Sequence, residues 1–164
     1  MKSFLVAVCA LMVFSGAIFS AEVIFPKETP ALSITFPQDW KVEVEDVLSA
    51  TSADESCGVV ILSVAADDFV AAMEGLAPEL DKIVKNFETK QEWSQEPVDL
   101  NGFHAWLSEG TGEMDGDAVN VSVLLVVKEG SGIASLILSF STDESEKVHA
   151  QAIESIVKSL KPAK

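Results

Sequence analysis

Apolar and polar residues alternate with a period of two along several stretches and with a period near 3.6 along two others, which predicts a chain of mixed strands and helices. Leu32, Ile34 and Phe36 alternate with Ser33 and Thr35 and stop at Pro37, a short strand. After a turn at Gln38-Asp39, Trp40, Val42 and Val44 alternate with Lys41, Glu43 and Glu45, which gives a second strand with one dry and one solvated face. A third segment, about Val47 to Ser52, is placed beside it, and the acidic loop Ala53 to Ser56 follows. From Gly58 the run Val59 to Val64 is apolar on both faces, as in a strand at the middle of a sheet covered on each side.

The period then changes. Asp67 or Asp68 can cap a helix whose apolar residues Phe69, Met73, Leu76, Leu80, Ile83 and Phe87 form one stripe. Gly75 and Pro78 interrupt it, so a kink or a two-part helix is expected, with Pro78 in the first turn of the second part. Asn101-Gly102 and Asp115-Gly116 are hairpin signals, and Glu129-Gly130-Ser131-Gly132 makes a third turn. Between them run long β-branched strands, Val119 to Val127 and Ile133 to Phe140, which the short turns join into an antiparallel meander. Ser141-x-x-Glu144 reads as a capping box for a last helix carrying Val148, Ala152, Ile153, Ile156, Val157 and Leu160, stopped by Pro162. The expected class is α+β: an antiparallel β-sheet covered by helices on opposite faces, an α/β/α sandwich.

The N-terminus follows neither period. Lys2 precedes an apolar run from Phe4 to Phe14, then small residues up to Ala21 and a polar switch at Glu22, the layout of a secretory signal peptide cut after Ser20 or Ala21. A retained anchor is the alternative. Residues 1–20 are thus assigned to the leader, 21–30 to a lead-in without clear period, and 31–164 to a single domain. Cleavage would remove Cys9 and leave Cys57 without an intramolecular partner, so the fold rests on its core. Asp54 and Glu55 beside Cys57 disfavour the thiolate, so it reads as an inert thiol, partly buried at the start of a strand.

Composition narrows the function. Among 164 residues, 26 acids stand against 11 basic residues, all lysine, for a net charge of −15, while 48% of residues are hydrophobic. The hydrophobic share argues for a folded domain, and the charge excludes nucleic acid, which needs a basic stripe. No Gly-x-Ser-x-Gly elbow is present, and Glu109-Gly110-Thr111-Gly112-Glu113 leads into a hairpin where a phosphate cradle needs a helix and a lysine. His149 is expected on the outward, solvated side of the last helix. His104 is expected on a strand packed under a helix, with His104 and Trp106, which share a strand face, as the candidate contact pair. Glu113, Asp115 and Asp117 could offer carboxylates to calcium, although Asp115-Gly116 is read first as a turn.

Ile34-Thr35-Phe36-Pro37-Gln38-Asp39-Trp40 resembles the strand, proline, turn and tryptophan opening of PsbP-like domains. Pro97-Val98-Asp99-Leu100-Asn101-Gly102 and Ile156-Val157-Lys158-Ser159-Leu160-Lys161-Pro162 are similar to small secreted bacterial members of that superfamily, including DcrB-like proteins. The resemblance, spanning about residues 30 to 162, implies the antiparallel α/β/α sandwich and a mostly non-enzymatic role as an envelope protein that contacts other proteins, and no cofactor is expected. The expectation is a monomeric periplasmic or secreted protein that contacts an unidentified envelope protein and keeps no membrane span after cleavage. A small-ligand or calcium-binding module using the acidic 109–117 turn is the rival.

Overall fold

The computed structural model describes residues 21–163, and the segment read as a signal peptide lies outside them. The chain opens with β1 (Ala21–Phe25), β2 (Leu32–Phe36), β3 (Lys41–Val44), β4 (Leu48–Thr51) and β5 (Cys57–Ala65), and then enters α1 (Phe69–Ile83). Next come β6 (Lys85–Gln91), β7 (Val98–Leu100), β8 (Phe103–Met114), β9 (Asp117–Val127) and β10 (Ile133–Ser141), followed by α2 (Asp143–Ser159) and the two-residue β11 (Lys161–Pro162). The main sheet has eight strands in the order β3-β4-β5-β10-β9-β8-β6, with β7 paired to the start of β8. A second sheet, β1-β2-β11, has three. Among the described residues every strand pair is antiparallel.

Successive strand residues point to opposite faces, so one strand feeds two cores. Ile61 and Leu62 show this on β5: Ile61 joins Ile34, Phe36, Ile137 and Ile156, whereas Leu62 joins Leu76, Leu125, Leu136 and Leu138. α1 therefore covers one face of the main sheet, and α2 with the small sheet covers the other. Each fully buried Leu, Ile or Phe contributes about 1.5–3 kcal/mol of transfer free energy to this sandwich.

The expected class holds, and four details differ. The lead-in contains β1, which pairs with β2 from Ala21 opposite Phe36 to Phe25 opposite Leu32. Its pattern is weak because Phe25 is buried while Ile24 remains about half exposed (49%). α1 is one helix with Pro78 inside it, and it ends at Ile83 with the Val84 N–H still bonded to the Leu80 carbonyl. Phe87 sits on β6 and belongs to no helical stripe. The second cap lies one residue later than expected: Thr142 and Ser145 form the box, because Ser141 is still paired in β10 with Cys57 and Asn120.

The hairpin tips follow the sequence. Asn101 and Gly102 (φ 53° and 91°) and Asp115 and Gly116 (φ 53° and 95°) adopt the left-handed pair that a tight hairpin requires. Asp68 caps α1 by accepting from the Ala71 N–H, and Asp67 instead accepts from the Gly132 N–H across the β9–β10 turn.

Candidate functional site: a groove between α2 and the main sheet

Strand register builds the floor. Ile61, Ile137, Leu124 and Leu107 form one row across β5, β10, β9 and β8 on the α2 face. Ile61 and Ile137 are fully buried, whereas Leu124 and Leu107 are only half-buried, because α2 and the small sheet cover just the first part of the row. The next row runs Val59, Ser139, Ser122 and Glu109, so the floor turns polar toward the N-terminal end of α2. Ala150, Ile153 and Val157 of α2 line the groove from the other side. The open groove has a volume of about 790 Å³, with Glu109, Glu146 and Glu154 among its lining acids and Lys90 and Lys158 among its bases. A hollow of about 480 Å³ adjoins it at the first turn of α2, where Asp143 and Glu144 lie.

α2 is fastened at both ends, which fixes the groove's width. At its start the Ser145 hydroxyl donates to the Ser56 carbonyl at 2.8 Å, and His149 Nε2 lies 3.0 Å from Asp54 Oδ2 and 3.2 Å from Ser56 Oγ. At its end the Thr35 N–H donates to Ser159 Oγ at 2.9 Å, while Asn101 Nδ2 donates to the carbonyls of Lys158 and Leu160. Among the described residues no buried side-chain nitrogen or oxygen lacks a partner.

Two groups here have displaced acidities. The Ser52 hydroxyl above all, then His149 and Ser56, hold the Asp54 carboxyl well below the usual carboxylate range. Burial first, and the charge of Asp54 second, push the Cys57 thiol up to about 11, so at neutral pH it stays protonated. Cys57, at the foot of β5, is a free and fully buried thiol, in line with an inert one.

His149 corrects the sequence reading. Its side chain is only 15% exposed and stands edge-on to Trp40, whereas the adjacent Val148 is 71% exposed. The signal was present in the spacing: 149, 153, 156 and 160 share the inward stripe, and 148 lies off it. Ser56, His149 and Asp54 do not form a nucleophile relay, because serine and carboxylate both sit on Nε2, whereas a relay needs one on each ring nitrogen. The arrangement is a tether.

His104 is a second correction: it is exposed, its register partners being Asp99 on β7 and Val127 on β9. It does stand beside Trp106, ring centroids 6.4 Å apart, but both lie on the α1 face, away from the groove. Trp106 packs on Phe69 at 5.2 Å, and Phe69 on Trp93 at 5.6 Å, a three-ring cluster whose Trp93 member the sequence reading missed.

The acidic turn is dispersed by the pleat. Glu113 pairs with Ala118 on the α2 face, Asp117 pairs with Met114 on the α1 face, and Asp115 sits at the tip between them. Among the described residues no three His, Cys, Asp or Glu side chains come together as metal ligands would. The glycines of the same segment have a packing purpose: Gly110 and Gly112 let β6 pass close over β8, and a Cβ on either would collide with Phe87, Val84 or the β6 backbone.

Neither a protein-family model nor a curated protein matches the sequence. Solved structures do match. LpqN of Mycobacterium tuberculosis, described as involved in cell envelope biogenesis, is similar with a TM-score of 0.59 at 17% identity, over 88% of this chain and 91% of LpqN. The cyanobacterial PsbP (CyanoP) of Synechocystis sp. PCC 6803 gives 0.52 at 10% identity, over 92% and 96% of the two chains. The Ran-binding protein Mog1p of Saccharomyces cerevisiae gives 0.52 at 13% identity, over 88% and 95%. These likenesses show a PsbP/Mog1-like fold. No helix among the described residues is long and apolar enough to cross a membrane.

Proposed function

We propose that this chain is an exported, non-catalytic protein of the cell envelope, similar in kind to small secreted DcrB-like proteins, and that it works through protein contacts made in the α2 groove. The observation that carries the reading is the half-buried apolar row Leu124 and Leu107, left uncovered where Ile61 and Ile137 of the same row are sealed. Uncovered apolar surface rimmed by polar groups is the usual mark of an interaction site. The leader-like N-terminus supports export, and two fold neighbours described by envelope biogenesis and by Ran binding support a binding role over a catalytic one. The Cys57 thiol, held protonated by burial, and the tether geometry of His149 also fit a non-catalytic protein.

The test is photo-crosslinking in intact cells from position 150, an exposed alanine on the groove wall, with position 129 on the β9–β10 turn as control. A discrete crosslinked envelope protein from 150 and none from 129 is expected. Crosslinks from 129 alone, or none from 150, would contradict the reading.

A further inference from the structure

The α2-side layer is incomplete. The small sheet and α2 cover β5, β10 and part of β9, but on the same face of β8 Leu107 lines the open groove and is only half-buried. One more helix laid alongside α2 would complete that layer, since helices pack on sheet faces in the manner α2 itself shows. The gap is apolar at the floor, where Leu107, Leu124 and Ile153 meet it.

The rim has a sign. Glu109, Glu146 and Glu154 line the groove, and Asp143 and Glu144 the hollow that continues it, against only Lys90 and Lys158. Lys158 and Glu154 pair at 2.5 Å and offset each other, which leaves Glu109, Glu146, Asp143 and Glu144 against Lys90. Asp143 and Glu146 both accept from one neutral amide, Asn120 Nδ2, at 2.8 and 3.1 Å, and among the described residues neither pairs with a lysine. Both stand in the first turn of α2, the end of a helix that favours negative charge. A partner entering this gap therefore meets apolar surface below and net negative charge at the edge, on a chain whose net charge is −15.

Resting on the proposed function, we infer that the occupant is an amphipathic helix of a partner protein, apolar on one face and bearing lysine or arginine along its flanks. Its apolar face covers Leu107 and Leu124, and its cations meet Glu109, Glu146 and Asp143. This is recognition of a helix in a groove, with acidic residues selecting the charge of the partner.

The probe is a labelled leucine/lysine peptide of about 14 residues, roughly 20 Å as a helix, with leucines at i, i+3, i+4 and i+7. Two controls accompany it: a scrambled peptide of equal composition and a leucine/glutamate peptide of the same period. Fluorescence anisotropy with the protein lacking residues 1–20 should show saturable binding of the first peptide only. Ala150→Trp, which fills the groove from an exposed position, should weaken it by about tenfold or more. Glu109→Gln with Glu146→Gln should weaken it by about fivefold and flatten its salt dependence.

Equal binding of the scrambled peptide, or binding untouched by Ala150→Trp, would overturn the inference. So would failure of the leucine/lysine peptide while a fluorescent fatty acid binds and is displaced by Ala150→Trp, an outcome that assigns the groove to an acyl chain. Crosslinking from position 150 without peptide binding overturns only the partner's chemistry. Absence of both overturns the proposed function as well.

Discussion

Asn101, at the tip of the β7–β8 hairpin, donates through Nδ2 to the carbonyl of Leu160, the residue that caps the C-terminus of α2, at 2.7 Å. The same amide reaches the Lys158 carbonyl at 3.0 Å, so a turn 57 residues upstream supplies partners to a helix end that has none of its own. The contact holds the end of α2 against the start of β8.

Asn101 also has φ 53°, which a substitution must respect. Asn101→Gly keeps that freedom and deletes the amide, whereas Asn101→Asp keeps the shape and turns an acceptor toward two carbonyls. Chemical denaturation should show Asn101→Asp less stable by about 1–3 kcal/mol and Asn101→Gly by about half as much. Equal stability of Asn101→Asp and wild type would remove the cap from the account.

The other end of α2 depends on pH. Because the folded-state pKa of Asp54 lies below its ordinary value of 3.8, ionised Asp54 stabilises the fold above that value, and the contribution fades as pH falls through about 4 and below. Asp54→Asn should therefore be less stable than wild type at pH 5 to 7, with the gap closing in acid. A gap that is constant from pH 7 to 3 would show that the charge of Asp54 does not matter.

Gly110 is a steric requirement. A Cβ there would stand 2.4 Å from the Glu88 carbonyl and 2.7 Å from the Phe87 ring, and backbone cannot step aside. Gly110→Ala should cost about 1–3 kcal/mol and speed hydrogen exchange along β6. Gly58→Ala, which meets only the Phe140 ring, should perturb β5 and β10 and leave β6 protected.

Export has a direct readout. Mass spectrometry of the exported protein should find a start at Ala21 or Glu22, which leaves β1 whole or short by one residue. An intact Met1 or Lys2 terminus in membranes would mean a retained anchor.

What could be read in advance was what is local. Asn101-Gly102 and Asp115-Gly116 specify their turns by themselves, and β5, apolar on both faces, announced a strand between two layers. Phe87 misled because the 4-3-4 spacing ran past Ile83 by coincidence, while the Val84 cap that stops α1 is set by tertiary packing. His149 was misplaced because its partner Asp54 lies 95 residues away, although its phase with Ile153 and Ile156 already pointed inward. The groove could not be read at all. Glu109, Ser122 and Ser139 look like ordinary solvated strand positions until antiparallel register puts them in one row, and Leu107 looks like ordinary core until α2 proves too narrow to cover it.

The central claim is that the groove, and no catalytic group, carries the biological activity. Complementation of a deletion strain by two variants tests it most directly: Ser122→Trp, which fills the groove floor, and Ser56→Ala, which removes the hydroxyl beside His149. With both proteins exported and unfolding within a few degrees of wild type, Ser122→Trp should lose function and Ser56→Ala should keep it. Loss of function in Ser56→Ala with full function in Ser122→Trp would contradict the account and return the protein to the enzymes.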